Sequence, residues 1–260
     1  GNSGPALAGL QPGRSVLVVL LPQLGDFSAE YVEQLLAVRS DLASAGITLR
    51  VIGIGDADSG RRFAGFMGMP PGMLRVDPAA ALHRALGLYK GPGWALPSPL
   101  TGLLGGDVEA WANYLAMCAG VSSPGTLLEI LRGYLGDRSA PERLAPDARV
   151  EAGPLTINGT RSYEIGPVAL DLWWAGDRGF QRPVELATVR LRNLVEALSH
   201  WSTYVPTSAY LAQRGGTFLF DDSGTALYEF RDPGVLIYSA SMPRPLSFLR
   251  DYIGDRALNP

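Results

Sequence analysis

Few side chains in this 260-residue sequence could carry covalent or redox chemistry: one cysteine, Cys118, two histidines, His83 and His200, and a single lysine, Lys90. A lone cysteine forms no internal disulfide and no C-x-x-C dithiol, so thiol chemistry would run through Cys118 and an external thiol. Reactive cysteines sit in electropositive, partly exposed surroundings. The stretch Ala116-Met117-Cys118-Ala119-Gly120 is apolar, which predicts a buried structural thiol; a one-cysteine redox centre is the alternative. The histidines stand far apart and match no local zinc spacing, so no metal is expected. G-x-S-x-G does not occur, and two histidines leave little room for a hydrolase triad. Lys90, the one candidate Schiff-base amine, lies in a Gly-Pro-rich loop and is assigned no role. Gly53-Ile54-Gly55 follows a strand-like run, but Asp58 stands where a dinucleotide fingerprint needs glycine, and its carboxylate would repel pyrophosphate. No cofactor is expected. Asp221 and Asp222 adjoin a glycine turn and read as turn caps facing water.

The elements that would position these residues follow from composition and periodicity. With 47% hydrophobic and 18% charged residues the chain can bury a large core, and its 32 glycines and 20 prolines predict many turns and long connections. A net charge of −3 without basic runs excludes nucleic acid as an expected partner. The longest apolar stretch, Val16 to Leu21, ends at Pro22 and reads as a buried strand, since a membrane span needs about twenty residues. Gly1 to Pro5 lacks the features of a signal peptide, and a single cysteine suits a reducing compartment, so an intracellular location is expected. On that reading the Asn158-Gly159-Thr160 sequon is only a turn.

Residues 15–90 alternate strand and helix signals. Ser15 to Leu21 is followed by a helix capped by Ser28 with Val32, Leu35, Leu36 and Leu42 on its apolar side, closed by Gly46. Ile47 to Ile54 reads as a second strand, Asp58 as the cap of a short helix through Phe63 and Phe66, and Leu74 to Val76 as a third strand. Pro78 then opens a helix with Leu82 and Leu86. A β-α-β-α-β order implies parallel pairing with right-handed crossovers. Beyond residue 106, Val108, Trp111, Leu115 and Cys118 predict one buried helical face. Thr126 with Glu129 fits a capping box for a helix whose apolar side is Leu127, Leu128, Leu131, Tyr134 and Leu135. Asn158-Gly159 predicts a small hairpin, and Leu191, Leu194, Leu198 and Trp201 mark a long amphipathic helix. Thr217 to Phe220 and Ala226 to Phe230 predict an antiparallel hairpin, followed by a helix from about Pro245 to Ile253.

Together these blocks resemble the peroxiredoxin-like, AhpC/TSA branch of the thioredoxin-fold superfamily, over about residues 12–90 and 213–253. The resemblance rests on the Ser15 to Pro22 run, on Val51-Ile52-Gly53-Ile54-Gly55, on Val76-Asp77-Pro78 with Leu86-Gly87-Leu88-Tyr89, and on Arg214-Gly215-Gly216-Thr217-Phe218-Leu219-Phe220-Asp221. The middle segment is most similar to proteins of this type from cyanobacteria and plastids, which adds a plastid stroma or thylakoid-associated setting to the cytoplasmic one. The implied fold class is α/β: a thioredoxin-like central mixed sheet with flanking helices, a single domain over 1–260, carrying at 91–212 a mainly helical insertion lobe with a small β-hairpin.

The resemblance also implies an active-site pattern that this sequence breaks. Peroxiredoxins follow a proline, four residues on, with threonine or serine, and three further on with the peroxidatic cysteine. Here Pro22 fits, Asp26 replaces the hydroxyl, and Ala29 replaces the nucleophile. Arg214 resembles the arginine that stabilises the thiolate, since a nearby cation favours the charged form; without a thiolate it is free to pair with Asp26 or to bind an anion. The expectation is a remnant pocket of Pro22, Asp26, Ala29 and Arg214 in a non-catalytic binding or accessory protein. The alternative is a thiol-dependent antioxidant oxidoreductase using Cys118, and a third reading is a pocket for a small anionic or hydrophobic ligand. All five tryptophans lie in the insertion. Adjacent Trp173 and Trp174 point in different directions in any regular element, so one of them is expected at a protein-partner surface. The sequence is also compatible with a homo-oligomer.

Overall fold

The structure, a computed structural model, describes residues 9–10, 13–95, 107–121, 125–135, 149–152, 155–158, 162–171, 183–235 and 237–258. Its centre is a five-stranded mixed sheet. Strand β1 (Val16–Gln23) pairs in parallel with β2 (Thr48–Ile54), which pairs in parallel with β3 (Leu74–Val76). On its other side β1 pairs antiparallel with β8 (Gly216–Phe220), which closes on β9 (Ala226–Arg231). The order β3-β2-β1-β8-β9 puts the first strand in the middle. A central strand is covered on both faces, which is why Val16 to Leu21 is apolar at every position rather than at alternate ones.

The two faces of that sheet build separate cores. Leu17, Val19 and Leu21 point into the larger one, with Val51, Leu219 and the inner side of helix α1 (Asp26–Ala37), including Ala29, Val32 and Leu35. Val16, Val18, Leu20, Ile52 and Phe218 point the other way, under Leu88 and the helix α4 (Ala81–Ala85). Between β1 and β2 the helical stretch breaks after α1 and resumes as α2 (Arg39–Ser44), and Gly46 then turns the chain with a φ of 75°. Helix α3 (Ala57–Phe66) links β2 to β3.

Local caps differ from the sequence expectation in three places. Asp56, not Asp58, caps α3, accepting from the N–H groups of Asp58 and Ser59 at 3.0 and 2.9 Å. Ser28 lies inside α1 and donates back to the Gln23 carbonyl. Thr126 begins a helix as expected, but its hydroxyl accepts from the Val235 N–H at 3.1 Å, so a tertiary contact takes the group that a capping box would use. The predicted C-terminal helix is a 3-10 turn (Ser247–Leu249) running into a short helix (Arg250–Ile253).

Residues 91–212 carry helices α5 (Asp107–Cys118), α6 (Thr126–Leu135) and α7 (Pro183–Ser199) and a second sheet. That sheet is larger than the single hairpin expected: β4 (Arg149–Ala152), β5 (Leu155–Asn158), β6 (Ser162–Ile165) and β7 (Val168–Asp171) form an antiparallel meander in that order. β5 and β6 do pair on either side of the Asn158-Gly159 signal, with Ile157 opposite Tyr163.

Helix α7 corrects the pattern reading. Among its described side chains the buried positions are Val189, Asn193 and Ala197, one turn apart, whereas Leu191, Leu194, Val195 and Leu198 are exposed. The reason is electrostatic and steric. Arg190 grips Glu30 at 3.0 Å, Arg192 pairs with Glu33, and Glu196 receives Arg62 from α3 at 2.7 Å, so the helix docks on α1 through charge pairs and a small residue. Tyr204 donates to the same Glu196 at 2.9 Å. In α5 the buried positions are Met117 and Asn113, while Leu115 is exposed. Trp111 stacks on Trp201 with centroids 4.8 Å apart. Among the described residues no helix is long and apolar enough to cross a membrane.

Candidate functional site

The first turn of α1, the end of β1 and the start of β8 meet at a narrow cleft. Pro22 lines it from β1, Ser28 and Tyr31 from α1, Arg214 to Thr217 from the approach to β8, and Asp232 and Tyr238 from the segment after β9. The space left for the centres of water-sized molecules is about 20 Å³, room for about one water. Gly215 makes the closure possible, because a Cβ there would collide with the Leu20 carbonyl oxygen and press on Pro22.

Arg214 is buried and held from within its own segment. Its backbone N–H donates to the Tyr89 carbonyl at 2.8 Å, one terminal guanidinium nitrogen donates to the Leu211 carbonyl at 2.9 Å, and Nε donates to the Ala212 carbonyl at 3.2 Å. Carbonyl oxygens thus take two of the guanidinium nitrogens, and the expected pairing with Asp26 falls on a side chain that the structure does not describe. Asp26 opens α1, but its side chain lies outside the described residues.

Asp232 is the acid of the cleft, and no residue pattern marked it beforehand. It accepts from the Gly234 N–H at 2.8 Å, and burial pushes its pKa up to about 8 against the opposing effects of the Arg214 charge and that hydrogen bond. At neutral pH its carboxyl is mainly protonated, leaving Arg214 as the charge among the described lining residues. Tyr31 is locked. Thr217 spends its one hydroxyl proton on the Tyr238 carbonyl at 3.3 Å, so the Tyr31 hydroxyl must donate to Thr217 at 3.0 Å, and burial raises the phenol well above its ordinary range. The Tyr31 ring stacks on Tyr238 at 4.8 Å, and the Tyr238 hydroxyl donates to Glu30 at 2.8 Å.

Ala29, which the resemblance aligns with the peroxidatic cysteine, does not line this cleft. Ala29 is 1% exposed, sits in the larger core and is not among the residues lining the space. The sequence reading grouped it with Pro22 and Arg214; the structure joins those two and turns Ala29 inward. Helical geometry explains the replacement: Ser28 and Tyr31, three apart, share the cleft face of α1, while Ala29 shares the core face with Val32.

Cys118 is half-buried near the end of α5, packed against Met117 and Val235 beside Tyr89 and Ala212. It does not line the cleft. His83 is fully buried, its Nε2 2.8 Å from the Leu21 carbonyl, and desolvation lowers its pKa, so it is a neutral core histidine. Asp221 caps the β8 to β9 turn, accepting from the N–H groups of Ser223 and Thr225, as expected. No cluster of metal-ligating residues occurs among the described residues. Trp173 and Trp174 lie outside the described residues.

Against this geometry, the family model described as AhpC/TSA antioxidant enzyme matches residues 34–234, more than half of the chain. The chain belongs to the AhpC/TSA family. The matched span includes residues 91–212, which the sequence resemblance had treated as an insertion apart from it, and begins after Pro22, Asp26 and Ala29. No curated protein and no solved structure matches the chain. The α/β sheet with flanking helices is the fold expected of an AhpC/TSA protein, and the single cysteine lies outside the cleft.

Proposed function

We propose that this AhpC/TSA protein is non-catalytic at the peroxidase position and works by binding a protein partner through the 91–212 region. The observation that carries the reading is Ala29: the sequence resemblance aligns it with the peroxidatic cysteine, and its methyl group packs into the core. A thiolate attacks the O–O bond of a hydroperoxide; a methyl group has no lone pair to do so. The cleft supports the same reading, since Arg214 is occupied by carbonyls and room for about one water is too little for an alkyl hydroperoxide without opening.

The binding half of the proposal is supported by exposed apolar side chains. Leu127, Leu128, Leu131 and Leu135 project from α6, and Leu191, Leu194, Val195 and Leu198 from α7, in numbers unusual for a solvent-facing surface. Trp173 and Trp174 belong to the same candidate surface on sequence grounds. A plastid or cyanobacterial setting belongs to this reading too, resting on the character of the middle segment.

A second reading keeps redox chemistry at Cys118. It is favoured by one contact set: Cys118 packs in the cluster that holds Ala212 and Tyr89, whose carbonyls accept from Arg214. One experiment separates the two. Purified protein is mixed with hydrogen peroxide and a dithiol reductant, and peroxide loss is followed for the native chain and for Cys118→Ser. Equal, background consumption is expected; turnover lost in Cys118→Ser would transfer the function to the thiol.

A further inference from the structure

Among the described residues, the face of the main sheet turned away from the cleft holds a charge without a counter-charge. Arg50, on β2, is only 5% exposed, and its Nε and Nη1 are buried with no acceptor. Register puts a second arginine next to it. Ile52 pairs with Arg75 of β3, and Arg50 shares the face of Ile52, so both guanidinium groups project from the same side of adjacent strands. The proximity is felt: burial and the Arg75 charge both push the Arg50 pKa down.

Among the described residues, the acids nearest on this side are engaged elsewhere. Asp77, just beyond β3, accepts from the Leu82 N–H at 2.8 Å and caps the approach to α4. Glu229 stands on β9, three strand spacings or roughly 14 Å from β2, and pairs with Arg231 at 2.8 Å. Two neighbouring guanidinium groups, one of them desolvated with orphan donors, are costly unless an anion takes the donors. Arg75 is only partly buried, so solvent reaches the pair.

We propose that Arg50 and Arg75 bind a small dianionic oxyanion of the phosphate type on the sheet face opposite the cleft. Guanidinium donors match the oxygens of such an ion, and two positive charges match its charge at neutral pH. The site would hold the β2 to β3 edge together and is independent of the reading of the cleft.

The test follows the thermal unfolding and calorimetry of the full chain titrated with inorganic phosphate, with chloride at matched ionic strength as the control. Saturable heat and a midpoint rise of roughly 5–10 °C at a hundredfold excess over Kd are expected for phosphate alone. Arg75→Gln, at a partly exposed position, should weaken phosphate binding by roughly tenfold or more. Arg50→Met should abolish the response and, without phosphate, unfold no earlier than the native chain, because it deletes an unpaired buried charge. A glycerol phosphate arm distinguishes a phosphorylated metabolite, which would reproduce the response, from free phosphate, for which it would not. Equal responses to phosphate and chloride, or a full phosphate response in Arg75→Gln, would overturn the proposal, and the second readout stands even if Arg50→Met fails to fold.

Discussion

The main sheet and the 91–212 region use the same apolar alphabet to different ends. Around β1, every strand residue from Val16 to Leu21 is buried, and α1 sends Val32 and Leu35 into one shared core. In α6, at comparable apolar density, Leu128 is 67% and Leu135 80% exposed. Helix α7 docks on α1 through Arg190 and Arg192 rather than through its leucines. The contrast teaches that an apolar stripe shows amphipathicity, while the surface it meets decides whether the stripe or the opposite side is covered.

Four variants would break or sharpen that contrast. Gly215→Ala should have the largest effect, above about 3 kcal/mol, because the added methyl meets the Leu20 backbone and has nowhere to move; urea denaturation monitored by circular dichroism checks it. Leu35→Ala, at a fully buried site, should cost about 2–5 kcal/mol in the same assay.

Asp232→Asn probes the cleft through pH. The native state keeps a proton that the unfolded chain releases between its ordinary carboxylate pKa and about 8, so stability should fall as pH rises through that window. The amide removes the slope and should be more stable than the native chain at pH 8 by more than about 1 kcal/mol, as thermal midpoints across pH 5–9 would show. His83 acts in the opposite sense: its lowered pKa means that the fold weakens as pH drops below about 6.5, and that acid limb should persist in Asp232→Asn. Smallest of all, Leu128→Gln with Leu135→Gln should change stability by less than about 0.5 kcal/mol while reducing self-association in sedimentation velocity, if the exposed surface meets a second copy. A loss of stability like that of Leu35→Ala would show these leucines to be core.

Much of the sheet was legible because strand signals are local. The Val16 to Leu21 run, the third strand at Leu74 to Val76 and the final hairpin lie where apolar runs and turn residues placed them. The candidate site was half legible. Pro22 and Arg214 do share the cleft, but Ser28, Tyr31, Thr217, Asp232 and Tyr238 carry no motif and meet only through contacts distant in sequence. Ala29, which the resemblance put at the nucleophile position, was expected at the cleft but packs in the core, because a single helix turn separates the cleft face from the core face. The second sheet was underread since four-residue strands are too short to show a period.

Residue identity alone limited the thiol chemistry: a single cysteine, and alanine at position 29, are facts of composition that no folding can alter. Periodicity likewise placed the strands of the main sheet and the longer helices, because it reflects interactions between neighbours along the chain. Only the tertiary structure decided that carbonyl groups hold Arg214, that Asp232 is buried beside it, that α7 buries its charged side, and that Arg50 and Arg75 share one face of adjacent strands. Each of these depends on burial and on partners tens to hundreds of residues away, and both quantities come into being only when the chain is packed.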